Sequence, residues 1–202
     1  MKATIEKQNV PDPPPHAAVV RLTHWINTFS FLALLVSGIA ILMAHPHLYW
    51  GETGAFGTPA LIDLPIPLNT DESGWGRSLH FLAAWIVVLN GMVYVVSGLL
   101  TRHFGSRMTQ TYTVVQRLAY LAVVFVLFPL MIGTGLAMSP AVMAVLPAMV
   151  GLFGGHQSAR TIHFLVMDFL ILFLMAHVAM VWLAGFRQRV GAMIIDRGPV
   201  QL

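Results

Sequence analysis

The sequence predicts an all-α integral membrane protein, a four-helix bundle with both termini on the cytoplasmic side. Three observations lead there. Of 202 residues, 57% are hydrophobic and only 9% charged, against about 25% charged in an average soluble domain, so the chain cannot clothe a water-facing surface. Four stretches reach the length of about 20 apolar residues that a bilayer crossing needs. Lys and Arg gather at one end of those stretches, as they do in cytoplasmic loops.

Taken in order, residues 1–20 read as a disordered cytoplasmic tail, polar and ending near Pro13, Pro14 and Pro15, with no positive-then-apolar leader carrying a cleavage site. The membrane domain is expected over 21–189. Helix one is expected over about 22–44, a run free of Asp, Glu, Lys and Arg. His45 to Gly76 forms a long loop rich in Pro, Gly and acids, and loops of that length usually carry function or are disordered. Helix two is expected over about 77–100, then a short turn with Arg102, His103 and Arg107. Helix three covers about 116–138 and contains Pro129, Gly133 and Gly135, which membrane helices tolerate. The stretch Ser139 to Ser158 is apolar but broken by Pro140, Pro147 and the Gly154–Gly155 pair, so it is expected to lie at the interface. Helix four covers about 160–186, and 190–202 form a second cytoplasmic tail.

Charge sets the orientation. Four spans put Lys2, Lys7, Arg21, Arg102, Arg107, Arg117, Arg187, Arg189 and Arg197 on one side; the other holds Arg77 and Arg160 with Glu52, Asp63, Asp71 and Glu72. A fifth span through Ser139–Ser158 would carry the last three arginines across and spoil that bias. The net charge of +3 therefore reads as topology, not as nucleic-acid binding. Cysteine is absent, which excludes disulfides, iron–sulfur clusters, thiolate ligands and covalent attachment of a c-type haem.

Histidine inside a bilayer is costly and calls for a partner. His24 follows Arg21 by three residues and His177 precedes Arg187 by ten, whereas His80 and His163 each follow Arg77 and Arg160 by three. The four thus form two depth-matched pairs, His24 with His177 and His80 with His163. His163 and His177 are 14 apart, which at about 100° per residue leaves both within about 40° of one face and roughly 21 Å apart along the axis. Two haems stacked in a bundle, each held by imidazoles from facing helices, need that arrangement. Gly38 and Gly91 fall near the same faces as His24 and His80, leaving gaps for a flat macrocycle. Arg77 and Arg160 share a face with the histidine three residues on and are candidate contacts to haem propionates, with interfacial anchoring as the alternative. His45-Pro46-His47 has no third ligand nearby and reads as ordinary loop. Asp168 lies about 140° and 180° from the two histidines of its helix, so it points away from them and is expected to be paired, protonated or turned to a protein interface. The favoured reading is a neutral acid bonded to a neighbouring helix or a second protomer, and a proton relay is the alternative.

The segments Arg21-Leu22-Thr23-His24-Trp25, Arg160-x-x-His163 and His177-Val178-x-Met180-Val181 resemble the di-haem b-type cytochromes, which include bacterial cytochrome b561 and the b subunits of nickel–iron hydrogenase and formate dehydrogenase. His45-Pro46-x-Leu48-Tyr49-Trp50-Gly51-Glu52 most resembles the thiosulfate-reductase type. The resemblance covers Arg21 to about Arg189. It implies two haem b groups with the ligand pairs given above, and a respiratory subunit in the inner membrane. Such a subunit relays electrons between quinone and a periplasmic, molybdopterin-type oxidoreductase docked on the 45–76 loop; it is not itself the catalytic subunit. It further implies a quinone site beside the cytoplasmic-side haem, at Thr113 and Gln116. Relatives of the formate-dehydrogenase type read Tyr-Asn-x-Gly-Gln where this chain has Tyr112-Thr113-Val114-Val115-Gln116, so the site is altered. The alternatives are a stand-alone cytochrome b561 acting as a superoxide:quinone oxidoreductase and a haem-free membrane transporter or scaffold.

Overall fold

The computed structural model describes residues 18–54, 58–66, 73–100 and 114–194. Helix α1 runs Ala18–Ala44, and β1 (His47–Leu48) pairs antiparallel with β2 (Ile62–Asp63). Helix α2 runs Ser73–Leu100. The third span comprises α3 (Val114–Ala122), a π turn (Val123–Leu127) and α4 (Phe128–Ala137). Short α5 (Pro140–Val145) and a 3-10 turn (Pro147–Phe153) follow, then α6 (His156–Leu183) and α7 (Phe186–Ile194). Among the described residues four helices are long and apolar enough to cross a membrane: 18–44, 74–100, 116–137 and 156–183. The four expected spans are present, and between the third and fourth the 139–155 stretch forms only pieces too short to cross.

The boundaries shift for identifiable reasons. Helix α6 starts four residues before the expected position because the loop after α1 caps it, as described below. It ends at Leu183, before the expected 186, because Gly185 takes φ +97, the left-handed conformation that closes helices. The chain then re-enters a helix, α7, which carries the first residues of the expected 190–202 tail; Trp25 Nε1 on α1 donates to Met193 O at 3.0 Å. In the third span Pro129 lacks an N–H, and its ring crowds the carbonyl four residues back. The π turn lies just ahead of it, and the Phe128 N–H bonds to Val123 O, five residues back, which widens the turn there.

Packing divides the bundle into two hairpins, α1 against α2 and α4 against α6. The contact faces use small residues, including Ser37, Ala40, Ala83, Thr134, Ala137 and Thr161, which let membrane helices approach closely. Large apolar side chains such as Trp85, Met92, Phe125 and Leu172 are exposed, the pattern of a lipid-facing surface. Midway along the bundle Val123, Val166 and Leu170 form an apolar cluster with Phe31 and Phe173 against it.

Candidate functional site

The four intramembrane histidines meet in two pairs, one at each end of the bundle. At the end carrying the 45–66 loop, His80 on α2 faces His163 on α6, with ring centres 6.2 Å apart and planes at 62°. At the end carrying α7, His24 on α1 faces His177 on α6 at 6.5 Å and 46°. The apolar cluster of Val123, Val166 and Leu170 lies between the two levels.

These separations discriminate between two chemistries. Two imidazoles bonded directly to each other would bring their centres to roughly 5 Å, from an N···N distance of about 3 Å. A metal ion between them needs roughly 6 Å, two bonds of about 2 Å plus about 1 Å from each nitrogen to its ring centre. Both pairs have the wider spacing. Nitrogen donors on two facing helices, with no carboxylate or thiolate beside them, suit iron in a macrocycle, which supplies the remaining ligands itself. Among the described residues no three His, Cys, Asp or Glu side chains gather in one place, so a metal held by protein ligands alone finds no site there.

At the loop end each ring is held by a hydroxyl from the neighbouring helix. Ser37 Oγ is 3.0 Å from His80 Nδ1 and Thr134 Oγ1 is 2.9 Å from His163 Nδ1. The glycine after each hydroxyl residue leaves room for the ring: a Cβ on Gly38 would lie 3.6 Å from His80 Cε1, and one on Gly135 3.5 Å from His163 Cε1. Gly91 has open space where a Cβ would be. Gly38 is the one of these four residues that helix periodicity alone singles out; Ser37, Thr134 and Gly135 emerge from the fold. The signal was available: a hydroxyl–glycine dipeptide sits near the end of the helix preceding each of Arg77-x-x-His80 and Arg160-x-x-His163.

The loop-end pair is roofed by the 45–54 segment, which clamps the start of α6. Gly51 O accepts from the N–H groups of Gln157 and Ser158, and the Gly51 N–H donates to Ser158 Oγ at 2.7 Å. Glu52 Oε2 accepts from the His156 N–H, a carboxylate at the positive end of a helix. Thr161 Oγ1 donates to Tyr49 O at 2.6 Å. Gly155, at φ +115, packs so tightly on this strap that a Cβ would fall 2.4 Å from Gly51 C and O. Arg160 donates from Nη1 to His47 O at 3.3 Å and from Nη2 to His45 O, a strap-holding role the sequence did not reveal. His47 Nδ1 lies 2.8 Å from Asp63 Oδ1 across β1 and β2. Partial burial, reinforced by the charges of Arg160 and Arg77, holds the His45 imidazole below its ordinary pKa.

At the other end aromatic rings frame the pair. His177 stacks on Phe173 (6.3 Å, 24°), Tyr120 meets Phe173 edge-on (5.9 Å, 76°), and Trp25 stands edge-on to His24 (5.6 Å, 87°). Buried Asn90 ties α2 to α1 through Thr23 O and Asn27 Oδ1, both at 2.8 Å. Gln116 Nε2 reaches Met180 Sδ at 3.5 Å, one turn beyond His177. Thr113 lies outside the described residues. Asp168 is exposed on α6, next to exposed Phe169.

Residues 16–194 match the family model described as prokaryotic cytochrome b561. Over 193 residues the chain is 29% identical to "Putative protein-methionine-sulfoxide reductase subunit YedZ1" of Azospira oryzae, a match covering 82% of this chain and 89% of that protein. No solved structure matches the chain.

Proposed function

This chain belongs to the prokaryotic cytochrome b561 family and is thus a multi-pass haem-binding electron-transfer protein of the bacterial inner membrane; on that premise we propose that it binds two haem b groups, one between His24 and His177 and one between His80 and His163. The observation that carries this is the spacing of the ring centres, 6.5 and 6.2 Å, wide enough for an iron in each pair. Haem supplies reversible one-electron chemistry when bound, and two histidines on one iron leave no open position for substrate. The work of the chain is then to orient the rings, exclude water and set the two sites roughly 21 Å apart along α6.

The surplus of Lys and Arg at the end bearing the termini supports a cytoplasmic location for it, which makes His24–His177 the cytoplasmic-side pair and His80–His163 the periplasmic-side pair. Arg77 and Arg160 are the proposed propionate partners. Each lies three residues before the histidine of its helix, on the same helix face, and Arg160 has further N–H groups beyond those given to the strap. Quinone is proposed to react beside the cytoplasmic-side pair, near Gln116 and Thr113. The contact from Gln116 to Met180, one turn from His177, supports that position.

The relative from Azospira is named as a subunit of a protein-methionine-sulfoxide reductase, which supports a catalytic oxidoreductase as partner here too. In this reading a periplasmic oxidoreductase, of the molybdopterin type by resemblance, docks on the 45–76 loop. Electrons pass between it and the quinone pool through this subunit. The test is pyridine haemochrome titration of the purified protein with an assay of haem reduction by quinol. Two haem b per chain, reducible by quinol, is the expected result; one haem or none would remove the reading.

A further inference from the structure

The hydrogen bonds at the loop-end pair have a readable direction. Ser37 Oγ lies 2.6 Å from Ala33 O as well as 3.0 Å from His80 Nδ1. Thr134 Oγ1 lies 2.6 Å from Leu130 O as well as 2.9 Å from His163 Nδ1. A carbonyl oxygen can only accept, so each hydroxyl gives its one proton to the carbonyl a helical turn back. Toward the ring the hydroxyl oxygen can then only accept, and Nδ1 of both histidines must carry the hydrogen. Nε2 is left with its lone pair, the atom and tautomer that bind a metal. Ser37 and Thr134 are both fully buried, so water does not compete for these bonds.

The two halves are wired alike. In each hairpin a hydroxyl–glycine dipeptide near the end of one helix meets the histidine of an Arg-x-x-His near the start of the next packed helix: Ser37-Gly38 with His80, Thr134-Gly135 with His163. We infer that Ser37 and Thr134 are a matched pair of positioning residues acting on one and the same haem. They fix the tautomer and orientation of both imidazoles that would hold it. By accepting from Nδ1–H they also raise the electron density that Nε2 donates, which favours the ferric state and holds that haem's midpoint potential down. The inference rests on the ligand assignment proposed above and goes beyond it.

The test is a spectroscopic redox titration of the full-length protein, wild type against Ser37→Ala, Thr134→Val and the double variant, with haem content measured first. Each single variant should shift the oxidised-to-reduced ratio of the same haem toward reduced, by up to about tenfold, or about 59 mV for a one-electron couple. The double variant should shift it further, and the second haem should stay at its wild-type potential. Ser37→Thr and Thr134→Ser, which keep the hydroxyl, should titrate like wild type. Unchanged potentials with both haems in place would overturn the inference and leave the ligand reading intact, as would shifts falling on two different haems. A wild-type protein without haem would instead sink the ligand reading. If Ser37→Ala does not assemble, Ser37→Cys takes its place, keeping bulk with a weak acceptor; a wild-type potential in it and in Thr134→Val counts against the inference.

Discussion

His80 and His163 at the loop end are each fastened by a hydrogen bond to a buried hydroxyl and covered by a strap locked to α6. His24 and His177 at the opposite end lie among aromatic rings, with Phe173 stacked on one and Trp25 edge-on to the other. A hydrogen bond fixes the direction of a ring nitrogen, whereas stacking fixes a plane and lets the ring slide within it. On the function proposed above, the loop end, with both rings held from neighbouring helices, would face the partner oxidoreductase, and the aromatic-lined end would face the quinone.

The comparison breaks most sharply on double substitutions of the histidines. His80→Ala with His163→Ala should cost one haem of two, and so should His24→Ala with His177→Ala, whereas His24→Ala with His163→Ala should cost both. Haem content per chain reads this directly, and one haem left in the crossed variant would mean that the pairing is wrong.

Next in size is the strap. In Gly155→Ala the new Cβ would meet Gly51 backbone at 2.4 Å, at a φ of +115, where Ala is strained. The expected loss is roughly 2 kcal/mol or more, seen as a lower Tm and faster proteolysis within 45–54, with the loop-end haem lost before the other. Gly191→Ala on α7, where a Cβ meets nothing, is the matched control at the opposite end and should be close to neutral.

A smaller, reversible version of the same asymmetry should come from pH. The folded state holds His45 below the ordinary imidazole pKa, through burial first and then Arg160 and Arg77. The unfolded strap therefore binds the proton more readily, so this contribution is complete above the ordinary value and is lost as pH falls below it. The protection of residues 45–54 against hydrogen exchange, taken relative to the intrinsic exchange rate at each pH, should fall between pH 7 and pH 5 while that of α7 barely changes, and His45→Gln should flatten the response. An equal response at both ends would remove His45 as its cause.

The least effect is expected from Asp168→Asn, at a position exposed on α6 and away from both pairs. Asp168→Asn should keep two haems and near-normal quinone-linked reduction, and Asp168→Leu should impair assembly, because a polar group in hydrocarbon is retained for a polar partner. Loss of quinone-linked reduction in Asp168→Asn, with both haems present, would make it a proton relay to the site near Gln116.

Much of this arrangement was legible in the amino-acid order. Arg21, Arg77, Arg160 and Arg187 mark where water begins, so counting residues inward from them gave the depth of each histidine. The interval from His163 to His177 gave their common face. What could not be read was anything needing the meeting of distant segments. Ser37 and Thr134 sit in helices where a hydroxyl ordinarily bonds only its own backbone, and nothing local says that a ring from another helix will use the remaining lone pair. Arg160 looked like a group awaiting an anion, because the carbonyls of His45 and His47 that it meets come from more than a hundred positions earlier. The early start of α6 has the same origin, since its cap is Gly51 and not a neighbouring side chain.

The π turn in the third span has a consequence for length. From Gln116 to Thr134 that span advances eighteen residues, while α6 advances seventeen between the groups they touch, His163 and Met180. Two straight helices would drift out of step over that distance, and one of the two contacts would miss. The wide turn at Val123–Leu127 takes up the surplus residue, as a gusset takes up extra cloth, so both ends of the bundle stay in register with α6. Removing one residue from that turn should leave the two ends nearly undisturbed, whereas removing one from α6 between His163 and His177 would turn the two rings from about 40° to about 140° apart.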